Sequence, residues 1–150
     1  LDEIFKHEVR LLAKEMGLPE SVWKRQPSPG PGLFLRVVGV PVTRGKCDLV
    51  RWADARVREI LVQNGIYDQI SQLVVAYLGL NTVGVKGDAR VYQGAIGIRA
   101  VETVDFMTAK GVWFQKHVVN EIKRTLTSHP EIVRVWFDPT DKPPATIEFE

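Results

Sequence analysis

Apolar residues recur along this chain at two different periods, and the switches between them divide it into helices and strands. Phe5, Val9, Leu12 and Met16 fall on one stripe, predicting a helix from Asp2 to Met16 that stops at Gly17 before Pro19. Trp23 to Gly32 holds too much proline for a helix and is expected as a stiff loop. Leu33 to Val38 reads as a strand. Leu49, Val50, Ala53, Val57, Ile60 and Leu61 return to helical spacing, predicting a helix from Lys46 to Asn64 ended by Gly65. Three strands are then expected, at Ile70 to Leu78, Thr82 to Val85 and Ala95 to Val101, with a turn at Gly87-Asp88. A last amphipathic helix, Val112 to Thr127, turns Val118, Val119, Ile122 and Leu126 inward, and strands at Glu131 to Phe137 and Thr146 to Phe149 finish the chain. Hairpin-like strands with intervening helices argue for an α+β fold: a two-layer sandwich with a mainly antiparallel sheet covered by helices.

Composition narrows the class without naming a chemistry. The chain has 150 residues, 45% of them hydrophobic, enough for one full-sized core and cramped for two. Twenty basic against eighteen acidic residues leave a formal charge of +2, too little to predict nucleic-acid binding without a basic face. Arg51, Arg56 and Arg58 share one predicted helix, which keeps an RNA-binding module open, but Asp48, Asp54 and Glu59 interleave with them. The single Cys47 excludes an internal disulfide and fits a reducing compartment. No apolar run approaches the roughly 20 residues of a bilayer span and no signal-peptide pattern opens the chain, so a cytoplasmic protein without membrane attachment is expected. Helical pattern begins by Asp2, behind Leu1 rather than Met, as expected of a piece of something longer. His7, His117, His129 and Cys47 form no metal-ligand spacing, and no metal site is expected. No phosphate-binding glycine loop of either common type occurs.

The most informative segment is the last, Lys142-Pro-Pro-Ala-Thr-Ile-Glu-Phe-Glu150. Pro143 and Pro144 each fix φ near −65°, so Lys142 is presented by a preset backbone, and the alternation that follows suits a terminus held in place. The residues alone leave it open between an edge strand capped by charges and a tail built around a ligand. Four further segments stand out: Pro29-Gly-Pro-Gly-Leu33 followed by Arg36; Ser71-Gln72; Thr82-Val-Gly-Val-Lys-Gly-Asp88 followed by Arg90; and Arg99-Ala-Val-Glu-Thr-Val-Asp-Phe-Met-Thr-Ala109.

In order and spacing these segments resemble the glutamine-hydrolysing GMP synthases, which end in a Lys-Pro-Pro-Ala-Thr-Ile-Glu-Trp-Glu type sequence; the likeness spans residues 5 to 150, with Phe149 at the aromatic position. The resemblance implies a C-terminal dimerisation domain over residues 26–150, preceded by a helix and linker (1–25) from an ATP pyrophosphatase region. It implies a homodimer, working with ATP pyrophosphatase and glutaminase domains or a separate subunit, that completes a pocket for xanthosine 5′-monophosphate. ATP and Mg would act on those other domains, whose pyrophosphate loop and glutaminase residues do not occur here; this domain would bind no cofactor, contribute no catalytic residue and be inactive alone.

Carried over position by position, the nucleotide pocket falls on Gln72, Arg134, Lys142, Ile147 and Glu148. A phosphate monoester carries close to two negative charges, which Arg134 and Lys142 would meet with a fork and a point charge. Glu148 would accept from ribose or base N–H groups, the Gln72 amide would donate and accept at a xanthine edge, and Ile147 would offer apolar contact. By pattern alone Arg134 and Gln72 read as solvent-facing strand residues. Pro29, Gly30, Gly32 and Arg36 form either a pocket wall or a structural loop. Asp88 and Arg90 are expected to pair, and Met107 and Trp113 to serve the core or a subunit contact. Gln26 and Ser28 stand where the family usually has His and Phe, and Asp141 replaces a small residue beside Lys142, where it would compete with phosphate. Those departures keep a second reading open, a scaffold module that has lost nucleotide binding.

Overall fold

A computed structural model of the chain describes residues 6–150. Phe5, on the first predicted stripe, lies outside them. Helices α1 (Lys6–Glu15) and α2 (Glu20–Trp23) lead through the proline-rich loop to a 3-10 turn (Gly32–Arg36) and the short strand β1 (Val37–Val38). Helix α3 (Arg44–Gln63) follows, then the long strands β2 (Gln72–Lys86) and β3 (Ala89–Glu102), the two-residue β4 (Lys110–Gly111), α4 (Lys116–Thr127) and β5 (Ile132–Phe137). The α+β expectation holds, with one refinement. β2 pairs antiparallel with β3, and β3 with β4, whereas β1 joins β2 and β5 joins β3 in parallel.

α3 carries the main core because both its ends and its face are specified locally. Thr43 caps it, its hydroxyl accepting from Lys46 N–H at 3.3 Å. Gly65, at φ +68°, closes it: Gly65 N–H donates to Val62 C=O and Ile66 N–H to Leu61 C=O, the paired bonds of a left-handed C-cap. Between the caps, Leu49, Ala53, Val57, Ile60 and Leu61 meet Leu73, Val75, Ile96, Ile98 and Ala100 of the sheet and Val118, Ile122 and Leu126 of α4. Each valine, leucine or isoleucine among them contributes about 2 kcal/mol on burial.

Successive strand side chains alternate between faces, so the residues between these core positions point to the opposite face. There Val74 and Val101 form a second cluster with Ala109 and Ile147, and Phe106 and Phe149 pack against it. The C-terminal tail thus covers the sheet face that the helices leave bare.

Several expected boundaries move. Residues 33–36 wind into a 3-10 turn, leaving only Val37–Val38 extended. Residues 70–78 and 82–85 belong to one strand, β2, whose register with β3 shifts between Leu78 and Thr82. Residues 112–115 precede α4, because Val112 N–H still donates to Ala100 C=O and extends the ladder. Residues 146–149 form no strand. Leu12 of α1 and Met16 just beyond it are exposed. Arg90 donates to the Tyr92 hydroxyl and makes no ion pair with Asp88. Met107 and Trp113 are 74% and 73% exposed, so neither belongs to the core. Arg51, Arg56 and Arg58 are each matched within α3 by Asp48, Glu59 and Asp54. Among the described residues no helix is long and apolar enough to cross a membrane.

Candidate functional site around the C-terminal tail

The tail is held at both ends of its proline turn. Lys142 and Ala109 exchange both backbone bonds, at 2.8 and 3.0 Å, in an isolated antiparallel bridge. The peptide bonds preceding Pro143 and Pro144 are both cis. Arg99, only 1% exposed, reaches from the last part of β3 to this segment. Its Nε donates to Ile147 C=O at 3.1 Å, and its Nη1 to Thr140 C=O at 2.5 Å and Asp138 Oδ2 at 3.2 Å. An ionised donor buried beneath a loop and bonded to its carbonyls holds that loop far better than a neutral group would.

Four of the expected residues converge here. Glu148 accepts from Arg36 Nε at 3.3 Å, from Arg36 Nη2 at 3.1 Å and from Gln72 Nε2 at 3.0 Å. Gln72 and Arg36 are buried, at 6% and 4% exposure, so Gln72 is no solvent-facing strand residue. Arg36 also bonds Leu73 C=O and Asp54, which in turn holds Arg58 at 2.5 Å. Ile147 turns its side chain into the second core cluster and its carbonyl to Arg99.

Lys142 lines a cleft of about 690 Å³ that also includes Ser71, Thr103, Asp105, Lys110 and Asp141. Its ammonium donates to Phe106 C=O at 2.7 Å. An ammonium has three N–H groups, so two remain for a ligand. Asp141 does not take them: its carboxylate accepts from Gly111 N–H at 2.8 Å, and no ion pair joins it to Lys142. Gln26 is similarly absorbed into the fold, its amide bonding Leu73 N–H and Ile70 C=O as a strand neighbour would. Ser28 is exposed.

Arg134 lies apart from the rest. Its register partner on β3 is Ala95, while Lys110, next to the Lys142 bridge, pairs with Glu102, so roughly 20 Å of extended strand separates the two levels. The guanidinium donates to Val83 C=O at 3.3 Å and faces another cleft, of about 590 Å³, with Lys123 and Arg124. A fork and a point charge on one phosphate cannot therefore come from Arg134 and Lys142 of one chain. Of the four proposed wall residues Arg36, at the end of the 3-10 turn, lines a cleft of about 520 Å³ with Pro27, Ser28, Arg58 and Tyr67. Gly32 answers a backbone need, φ +71°, and no protein atom approaches the Cβ position of Gly30 or Gly32 within 4 Å.

Two titratable groups near Arg36 are displaced. Burial works against the Arg58 charge, but the Asp54 carboxylate outweighs it and raises the pKa. Burial raises that of Tyr67, against the pull of Arg58. Residue patterns missed Arg99 and the inward role of Arg36. One signal for Arg99 was present: a lone charge inside the apolar run Ala95 to Val101. Among the described residues no group of His, Cys, Asp and Glu is placed to hold a metal ion.

Comparison with known proteins identifies the family. Residues 59–149 match the family model described as the GMP synthase C terminal domain. The chain is 48% identical to a subunit of the glutamine-hydrolyzing GMP synthase of Pyrococcus furiosus, over 100% of this chain and 47% of that protein. It is 44% identical to the glutamine-hydrolyzing GMP synthase of Alkalilimnicola ehrlichii and 43% identical to that of Yarrowia lipolytica, covering 29% and 28% of those proteins. The chain thus spans about half the length of the Pyrococcus relative and under a third of the other two. With the family's tail folded onto the sheet and its acid and amide in contact, the chain belongs to the GMP synthase C-terminal domain family.

Proposed function

We propose that this domain completes the xanthosine 5′-monophosphate pocket of a GMP synthase, an enzyme that makes GMP from that nucleotide, ATP and ammonia released from glutamine. The observation that carries the reading is the buried contact of Glu148 with Arg36 and Gln72, on the same tail that brings Lys142, an ammonium with unused donors, to a cleft. Lys142 meets the phosphate, while Glu148 and the Gln72 carbonyl oxygen, which has no donor among the described residues, accept from ribose or base. The fork on the phosphate comes from Arg134 of a second copy, which makes the working unit a homodimer.

The contribution of this chain is orientation. A nucleotide fixed at phosphate and base meets the activating group in a constrained geometry, which converts a bimolecular encounter into an effectively unimolecular one. ATP, with its Mg, and glutamine belong to domains or a subunit outside this chain, so the domain alone is inactive. Retained binding is favoured over a bare scaffold because two departures from the family pattern are spent on backbone bonds, Gln26 on β2 and Asp141 on Gly111, without occupying Lys142.

Replacing Lys142 tests the reading. In the assembled synthase, Lys142→Ala is expected to raise the apparent constant for xanthosine monophosphate about tenfold or more, the cost of one charge-assisted contact, and to leave that for ATP nearly unchanged. Equal effects on both substrates contradict it.

A further inference from the structure

We infer that Arg36 is the positioning residue for the Glu148 carboxylate, setting its direction before any nucleotide arrives; the inference rests on Glu148 being a nucleotide contact. Arg36 is 4% exposed and enters from the 3-10 turn that replaces the expected strand. Its Nε and Nη2 address the two oxygens of Glu148 separately, at 3.3 and 3.1 Å, as a planar fork. The same guanidinium is tied down on two other sides, to Leu73 C=O of β2 at 3.3 Å and to Asp54 of α3 at 3.4 Å. Asp54 is itself fixed by Arg58, one turn further along α3, at 2.5 Å.

The fork therefore transmits the geometry of helix and sheet to a carboxylate on an irregular tail that has no ladder of its own. Counting Gln72, three of the roughly four lone-pair positions of a carboxylate are filled by protein donors, which leaves one for a ligand N–H or O–H. Such a group is already ordered, so binding need not supply the entropy of ordering it. Lysine in place of Arg36 would keep the charge and lose the fork, since an ammonium on a flexible stem cannot address both oxygens in one plane.

The decisive experiment is a double-mutant cycle on the assembled synthase, read as the affinity for xanthosine monophosphate by titration calorimetry, with the melting temperature as a check on folding. Arg36→Lys is expected to weaken binding about tenfold, in line with one charge-assisted bond. It should raise KM for the nucleotide more than it lowers kcat. In a Glu148→Gln background the same substitution is expected to change affinity less than about twofold, because its route of action is gone. Asp54→Asn, on the far side of the guanidinium, provides a second variant should Arg36→Lys fold poorly: it loosens Arg36 without touching Glu148 and should weaken binding only where Glu148 is intact. Equal losses in both backgrounds, or no loss at all, overturn the positioning role while leaving the nucleotide reading standing. If Glu148→Gln alone leaves affinity unchanged, the nucleotide role of Glu148 falls, and this inference with it.

Discussion

Gly111 shows how closely the fold is built at the scale of a residue. A Cβ there would lie 1.9 Å from the Pro139 carbonyl oxygen and 2.3 Å from its carbon, backbone atoms that no side-chain rotation can move aside. Gly111→Ala is therefore expected to cost about 3 kcal/mol, near the upper end for overpacking, and chemical denaturation of wild type and variant measures it. Lys142, Glu148 and Gln72 were legible as a group because resemblance carries positions one at a time. The contacts among them were not, since nothing in a linear pattern says that Gln72 and Glu148 share a sheet face. Arg134 shows the limit of that carry-over: its position is matched, but its β3 register puts it far from Lys142 within one chain.

Elements were legible in proportion to how local their causes are. The period of α3, its Thr43 cap and its Gly65 stop lie within the segment, and its observed bounds differ from the expected ones by a residue or two. The tail strand failed for a non-local reason: the edge of β3 opposite β2 is shared by β4 and β5, and the start of the open β2 edge is covered by Gln26 and Arg36. With no ladder to join, the same alternation buries Ile147 against a sheet face and hands its carbonyl to Arg99. The junction of α3 with the 3-10 turn Tyr67–Gln69 makes a pH prediction. Burial raises the Tyr67 pKa, so the folded state holds that proton more tightly than the unfolded chain does. This contribution is fully present below the ordinary phenol value near 10 and is lost as pH climbs through the raised folded value. Ultraviolet difference titration should show a tyrosine ionising above the ordinary phenol value, a step absent in Tyr67→Phe.

For the whole molecule, the two sheet faces divide the labour. One is sealed by α3 and α4 and supplies stability; the other is sealed by the tail, so the stretch with the candidate ligand groups is also part of the packing. The order of strands and helices pointed to an α+β class, which the sheet and its helices bear out, but the use of the second face was not readable, because the covering segment forms no strand of its own. Arg134 and Lys142 stand at different levels of the sheet, which is why the proposed pocket calls on a second copy. The most direct measurement is amide hydrogen exchange on the assembled synthase with and without saturating xanthosine monophosphate. Slower exchange in residues 70–74, 132–137 and 142–149 is the result predicted; a bound nucleotide that leaves the exchange of residues 142–149 unchanged would contradict the account.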